Sequence, residues 1–272
     1  MAEITAQKVN ELRNKTGLPM MKCKQLLTAA GGDVEKAFEA ARKEGLKDSI
    51  RERAATEGRV AAATSPDRKA AAAVEIVCNT DFTAKSEAVE RIANAAVQKL
   101  LANPGVSLAD DSDIKNQALA VAQQTGENVQ IGRSVVINAP AGGSAGSYLY
   151  STAGKGKIAV LVVVSGDASD EVVRNVGMHV AAARPVALSR DQVSPDLIAK
   201  EREIAVEQAK ATGKPQQIAE KIAEGKMSAF FSERVLLDQE FINADAFKGS
   251  VGNMLKARGA KLERYERLEV GQ

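Results

Sequence analysis

Residues 75–89 read EIVCNTDFTAKSEAV and join a strand-like run to a helix-like run through a short polar turn. The first part continues an apolar pattern that is typical of a buried strand. The last part opens an Ala-rich helical pattern. Thr80 or Asp81 is suited to cap this helix, because a side-chain oxygen there can accept a free N–H of the first turn. Phe82 stands at this corner in a chain that is only 3% aromatic.

The segments around this corner predict a strand–strand–helix–helix–strand unit followed by a second hairpin-and-helix unit. The first unit has predicted strands at 59–63, 71–77 and 129–138 and predicted helices at 83–102 and 114–124. The second has a Gly-rich loop at 141–147, strands at 148–152 and 157–165, a helix at 168–183 and a closing strand at 261–270. This order predicts an α+β fold with antiparallel sheets.

Helical modules are predicted outside these two units. Residues 1–45 carry three helix patterns, with starts at Thr5, Pro19 and Asp33, and glycines such as Gly17 and Gly45 that end them. They predict a three-helix bundle at the N-terminus.

Residues 194–234 predict an antiparallel helical hairpin. Pro195 and Pro215 each begin a helix, and Gly213 with Lys214 leaves room only for a tight turn between them. The expected domains are therefore a bundle with its linker, a first core subdomain, and a second core subdomain that carries the hairpin. Their predicted bounds are 1–55, 56–140 and 141–272.

Composition and charge exclude several classes of protein. The net charge of the 272 residues is only +2, and lysine and arginine alternate with acidic residues, whereas nucleic-acid binders usually show a concentrated basic face. Cys23 and Cys78 are the only cysteines and form no CxxC motif. No apolar run is long enough to span a bilayer, and the N-terminus lacks the apolar core of a signal peptide. We expect a cytoplasmic protein that binds neither a membrane nor nucleic acid directly.

No enzyme motif is present among the residues that carry chemistry. The glycines of GGSAGS at 142–147 and AGKGK at 153–157 do not match GxxxxGK[ST], and turns explain them better than a phosphate-binding loop. His179 has no neighbouring Ser, Cys or Asp in a triad pattern and is interpreted as a partly buried structural residue. Cys23 is interpreted as a small core residue. No catalytic residue, metal or cofactor is expected.

Phe82 has two interpretations at this point. It can cover the first helical turn as part of a hydrophobic staple. It can instead project from a rigid corner as an interface anchor, because an immobilised aromatic offers a large contact area at low entropic cost. The residues alone leave both open.

Five sequence blocks resemble the bacterial elongation factor Ts family. They are AEITAQKVNELRNKTGLPMMKCKQLL near the N-terminus, VCNTDFTAKSEAV around Phe82, GENVQIGR at 126–133, MHVAA at 178–182 and KEREIAVEQAKATGKPQQIAEKIAEGKM in the predicted hairpin. They occur in the family's order along nearly the whole chain. The resemblance implies a ubiquitin-associated-like bundle, a two-subdomain core, a coiled-coil hairpin, and guanine-nucleotide exchange on elongation factor Tu without covalent chemistry.

The resemblance also implies site residues. The family's TDFV segment, which is linked to loss of magnesium from Tu, matches Thr80, Asp81, Phe82 and Thr83, with Thr in place of the usual Val. Implied contacts with the GTPase domain of Tu are Arg13, Met20, Met21, Gly126, which follows Thr125 where the family commonly has Ile, and Tyr150, where the family has His.

Other function classes stay open from the sequence. The alternative is a non-catalytic polypeptide- or RNA-binding adaptor that uses the bundle and the hairpin as arms. A third class is a nucleotide-binding enzyme, which would bind GDP or ATP directly as an isolated chain. An exchange factor would instead capture Tu and release it when GDP is added. Self-association as a homodimer also stays open.

Overall fold

The computed structural model describes residues 4–16, 18, 20–44, 55–211 and 215–272. Its N-terminal helices are α1 (Ala6–Thr16), α2 (Met20–Ala29) and α3 (Val34–Glu44), which pack on one another as predicted. Leu12, Cys23 and Leu27 are fully buried between them, which confirms Cys23 as a core residue. The predicted helix signals at Gly17, Pro19 and Gly45 lie outside the described residues.

The strands form two antiparallel sheets, which confirms the α+β class. β1 (Glu57–Thr64), β2 (Ala70–Cys78) and β3 (Gln130–Asn138) pair in the order β1-β2-β3. β4 (Gly143–Thr152), β5 (Lys155–Gly166) and β6 (Ala260–Glu269) pair in the order β4-β5-β6. In both sheets the second strand of a hairpin is the central strand and a later strand returns to its free edge. The closing strand predicted at 261–270 is therefore confirmed.

Each central strand is buried on both faces, which explains its nearly continuous apolar sequence. In β5 the side chains of Ile158, Val160 and Val162 belong to one core cluster. The alternate residues Ala159 and Leu161 belong to a second cluster that they share with residues of the first sheet. The two sheets thus pack on each other, and their outer faces are left for helices.

Helices cover both outer faces and complete a four-layer arrangement. On the first sheet lie α4 (Asp81–Lys85), α5 (Glu87–Ala102) and α6 (Ser112–Thr125). On the second lie α7 (Asp170–Ala183) and α10 (Val251–Ala257). The last of these helices was not predicted from the sequence.

Two predictions of local structure are wrong, the first because of helix packing and the second because of a helix cap. The segment 141–147, predicted as a loop, is strand from Gly143 onward, where it pairs with β5. Residue 146 has to be glycine because a Cβ there would lie 2.6 Å from Val173 of α7. Gly146 therefore permits close helix packing, whereas Gly142 (φ 77°) lies in a turn just before the strand. The single helix predicted at 83–102 is two helices, because Ser86 is extended (ψ 145°) and caps the second one by accepting from the Val89 N–H.

The segment predicted as a helical hairpin contains α8 (Pro195–Lys210) and α9 (Gln216–Arg234). Leu197 near the start of α8 joins the same cluster as Phe230 near the end of α9, and Lys226 Nζ donates to Gln208 at 2.6 Å. The predicted turn at Gly213 and Lys214 lies outside the described residues. Coiled-coil character and the domain bounds remain predictions. No helix in the described ranges is long and apolar enough to cross a membrane.

Candidate functional site

We call residues 79–86 the corner. They place Phe82 in solvent. Helix α4 begins after Thr80, whose Oγ1 accepts from the Thr83 N–H at 3.3 Å. Thr83 and Ala84 form the buried face of this helix, whereas Phe82 is 87% exposed. The staple interpretation is therefore wrong, since a staple residue has to pack on its own helix. The corner presents an aromatic ring that the described residues leave largely uncovered.

Glu127, just after α6, holds the corner from one side. Its Oε2 accepts from the backbone N–H groups of Asn79 (3.2 Å) and Thr80 (3.0 Å). Its Oε1 accepts from the hydroxyls of Thr80 (2.7 Å) and Thr83 (2.8 Å). Burial would raise the pKa of this carboxyl, but these hydrogen bonds favour the charged form and leave the pKa below its usual value. The carboxylate fixes both ends of the turn that carries Phe82.

Asp81 is held from the other side by two lysines. Its carboxylate pairs with Lys155 of β5 and with Lys85 of its own helix, the latter at 2.5 Å. Hydrogen bonds from Lys155 and then Lys85 lower the pKa of Asp81 to about 2. Lys155 also pairs with Glu57 of β1 at 3.0 Å. The acid beside Phe82 is thus ionised and engaged within the chain.

Cys78, at the end of β2, packs in the protein interior against the corner. Its Sγ donates to the Thr80 carbonyl at 3.2 Å and its side chain is fully buried. Burial, with a contribution from the charge of Glu127, raises the pKa of this thiol to about 11. It is therefore a neutral packing residue and not a nucleophile.

Gly126 is the implied contact residue that the fold brings to the corner. It ends α6 in the left-handed conformation (φ 70°), where glycine is favoured, and it immediately precedes Glu127. The Thr125 hydroxyl donates to the Val121 carbonyl at 2.9 Å and accepts from the Glu127 N–H. The helix end therefore positions the carboxylate that clamps the corner.

The other implied contact residues lie elsewhere. Tyr150 is in β4, opposite Ile158, and nearly half of its side chain is exposed. Arg13, Met20 and Met21 are exposed on the N-terminal helices, which have a core of their own.

His179 is more deeply buried than predicted. It lies in α7 with 1% of its surface exposed, its Nδ1 accepts from the Ile242 N–H at 3.2 Å, and its Nε2 lies 3.0 Å from Gln239 Oε1. Burial lowers the pKa of this imidazole. Its structural role is confirmed, and no His, Cys, Asp and Glu group in the described residues is arranged to hold a metal ion.

Sequence reasoning missed the residues that hold the corner. Glu127 lies in the quoted GENV block and Lys155 in the AGKGK segment, which does form the predicted turn. Their pairing with Thr80 and Asp81 joins distant parts of the chain. Periodicity carries no information on such pairs, so the only sequence signal was their presence in glycine-containing turns.

Comparisons with known proteins identify a family for this chain. The sequence model of the family described as Elongation factor TS matches residues 79–272. The chain is 38% identical to "Elongation factor Ts" of Thioalkalivibrio sulfidiphilus and 39% identical to that of Methylococcus capsulatus, each over 99% of this chain and 92% of the relative. It is 41% identical to that of Azoarcus sp., over 100% of this chain and 92% of the relative. On this evidence the chain belongs to the elongation factor Ts family.

Proposed function

We propose that this chain exchanges guanine nucleotide on elongation factor Tu by inserting Phe82 against the magnesium and phosphate site of the GTPase domain. Exchange on Tu is the known function of the family to which the chain belongs. The observation that supports the proposed role of Phe82 is its 87% exposure on a helix whose other side chains are fixed.

The physical requirement is a coupling free energy between two binding events. GTPases hold the phosphates of GDP with a backbone loop, a helix N-terminus and a magnesium ion. A factor that favours a Tu conformation with that site disturbed lowers the affinity for GDP, and GDP lowers the affinity for the factor equally. A thousandfold change needs about 4 kcal/mol. One buried aromatic anchor contributes about 2–4 kcal/mol at an interface, so Phe82 needs further contacts to hold the factor in place.

The implied contacts supply candidates for that holding role. Gly126 lies beside the corner, Tyr150 is exposed on β4, and Arg13, Met20 and Met21 are exposed on the bundle. We propose that these residues bind Tu and that the corner acts on its nucleotide site. No covalent chemistry is required, because lowering the affinity for GDP allows GTP to rebind.

Replacing Phe82 with alanine tests this proposal. Because the ring is exposed in the free factor, Phe82→Ala should change the free energy of unfolding by no more than about 0.5 kcal/mol. GDP release should slow by about tenfold or more at saturating factor, since losing about 1.4 kcal/mol of coupling corresponds to tenfold. The measurement is release of a fluorescent GDP analogue from Tu with magnesium present.

A matched control separates this effect from a general loss of apolar surface. Ile242 is 51% exposed and lies outside the corner, so Ile242→Ala should exchange at the wild-type rate. Wild-type exchange by Phe82→Ala at saturating factor would remove Phe82 from the mechanism.

A further inference from the structure

Lys155 is a buried cation at the start of β5, with only 5% of its side chain exposed. Burying an ammonium group costs several kcal/mol unless carboxylates compensate it. Its Nζ pairs with Glu57 of β1 at 3.0 Å and with Asp81 of α4. Burial would lower the pKa of Lys155, but its bonds to Asp81 and Glu57 outweigh burial and raise the pKa above its usual value. The lysine is charged and joins three separate elements.

The AGKGK turn is shaped to deliver this lysine. Ala153 and Gly154 have left-handed backbones (φ 50° and 83°), and the Gly154 carbonyl accepts from Arg59 Nη2 of β1 at 3.1 Å. A Cβ on Gly156 would overlap the Val60 carbonyl oxygen, so only glycine allows the turn to lie this close to β1. The glycines explain how a residue of the second sheet reaches a helix on the first.

Helix α4 needs such external support. It has five residues, and a helix this short is not stable without tertiary contacts. The Asp81–Lys85 pair lies within the helix and cannot orient it relative to the rest of the molecule. Lys155 comes from the second sheet, and the residue it holds directly precedes Phe82.

We infer that Lys155 is a positioning residue for nucleotide exchange: by holding Asp81 it fixes the direction in which Phe82 projects relative to the second sheet. This inference rests on the proposed function. The β4–β5 hairpin carries Lys155 near its turn and Tyr150 on the preceding strand, so it joins the corner to another proposed contact with Tu. Asp81 then acts inside the factor, through Lys155, and its charge is not directed at the partner.

A buried ion pair is weak evidence for a purely stabilising role, because replacing the whole pair with apolar residues is often neutral or stabilising. Lys155→Met keeps most of the apolar length of the side chain and removes its charge. We expect it to reduce the rate of GDP release at saturating factor by about tenfold, with the half-saturating concentration changed by less than about twofold. Lys155→Arg, which keeps the charge, should retain more of the rate.

Lys99 provides the matched control. It also pairs with two carboxylates, Asp111 at 2.7 Å and Asp113 at 2.9 Å, and it lies near the far end of α5 from the corner. Lys99→Met removes the same kind of ion pair from a helix–helix contact. It should leave the rate of GDP release at saturating factor unchanged.

A spectroscopic measurement reports the orientation of the corner directly. The chain contains no tryptophan, so the Phe82→Trp variant carries a single indole at the tip of the corner. Adding Lys155→Met to that variant should lower the fluorescence anisotropy of the indole, because the helix gains freedom. Adding Lys99→Met should leave the anisotropy unchanged. If Lys155 had only a general structural role, the two lysine variants would show the same indole anisotropy when their helix content is equal.

The outcomes separate the inference from the function on which it rests. If Phe82→Ala slows release while Lys155→Met releases GDP at the wild-type rate and the indole stays immobile, the inference is wrong and the proposed function stands. If Phe82→Ala exchanges normally, the proposed role of Phe82 is wrong whatever Lys155 does, although exchange on Tu itself still stands. Should Lys155→Met fail to fold, Asp81→Asn breaks the same ion pair at a half-exposed position. We expect it to slow release at saturation, and a wild-type rate would overturn the inference.

Discussion

Phe82 differs from the polar side chains beside it, because those of Thr80, Asp81 and Thr83 are engaged within the chain. The hydroxyls of Thr80 and Thr83 donate to Glu127, and the carboxylate of Asp81 pairs with two lysines. What remains for a partner is an apolar ring on a fixed base. In the proposed complex with Tu, recognition by the corner would therefore depend on contact area and shape, and the rigidity of the base would lower the entropy lost on binding.

Glu127 allows a test of that base at the level of one residue. Glu127→Ala removes the acceptor of four donors, so we expect the free energy of unfolding to fall by about 1–3 kcal/mol, as for other partly buried hydrogen-bonding groups. Urea denaturation measures this change. Glu203→Ala, at an exposed position in α8, should stay within about 0.5 kcal/mol of wild type. An unchanged urea midpoint for Glu127→Ala would show that the clamp contributes nothing to stability.

At the level of elements, single buried polar side chains form hydrogen bonds that link one strand or helix to another. Glu75 of β2 accepts from Arg133 Nε of β3 at 3.1 Å and from the Gly271 N–H beyond β6 at 2.8 Å. His179 of α7 accepts from the Ile242 N–H in the chain leading to α10. Each of these hydrogen bonds links elements that are distant in the sequence, so it helps to fix how those elements are placed relative to one another.

The burial of His179 predicts that the free energy of unfolding depends on pH. Burial lowers the pKa of the folded imidazole below its unfolded value of about 6.5. As the pH falls through the unfolded pKa, His179 binds a proton in the unfolded chain but stays neutral in the folded chain. The free energy of unfolding therefore decreases. His179 is the only histidine, and His179→Gln removes this contribution. Between pH of about 8 and about 5.5, wild type should therefore lose more stability than His179→Gln in urea titrations. Equal losses would contradict the assignment.

For the whole molecule, the sequence predicted the layers better than the contacts between them. The apolar runs in β2 and β5 indicate strands because both of their faces are buried. Glycines were ambiguous: at Gly146 and Gly177 they admit close packing of α7 on β4, which composition cannot distinguish from a loop. The Lys155–Asp81 pair joins two sheets, and no local pattern records it. The exposure of Phe82 could be recognised only from the structure, which shows that Thr83 and Ala84 form the buried face of its helix.

Among the described residues, the core cluster of the N-terminal bundle is separate from the clusters of the two sheets. The cluster around Leu12 and Leu27 contains only residues of the N-terminal bundle, and the clusters of the two sheets begin at Val60. Removing residues 1–54 should therefore leave a remainder whose unfolding midpoint is close to that of the core in the full chain.

The same deletion tests the proposed division of labour between the bundle and the corner. If Arg13, Met20 and Met21 bind Tu, affinity should fall by about 10- to 100-fold, equivalent to about 1.4–2.8 kcal/mol. GDP release at saturating factor should stay near the wild-type rate, because Phe82 and its supports remain. The full-length chain with alanine at those three positions should reproduce the loss of affinity. Undiminished affinity of a folded truncated chain, measured by titration against Tu, would show that the bundle does not dock and that the core alone holds the factor in place.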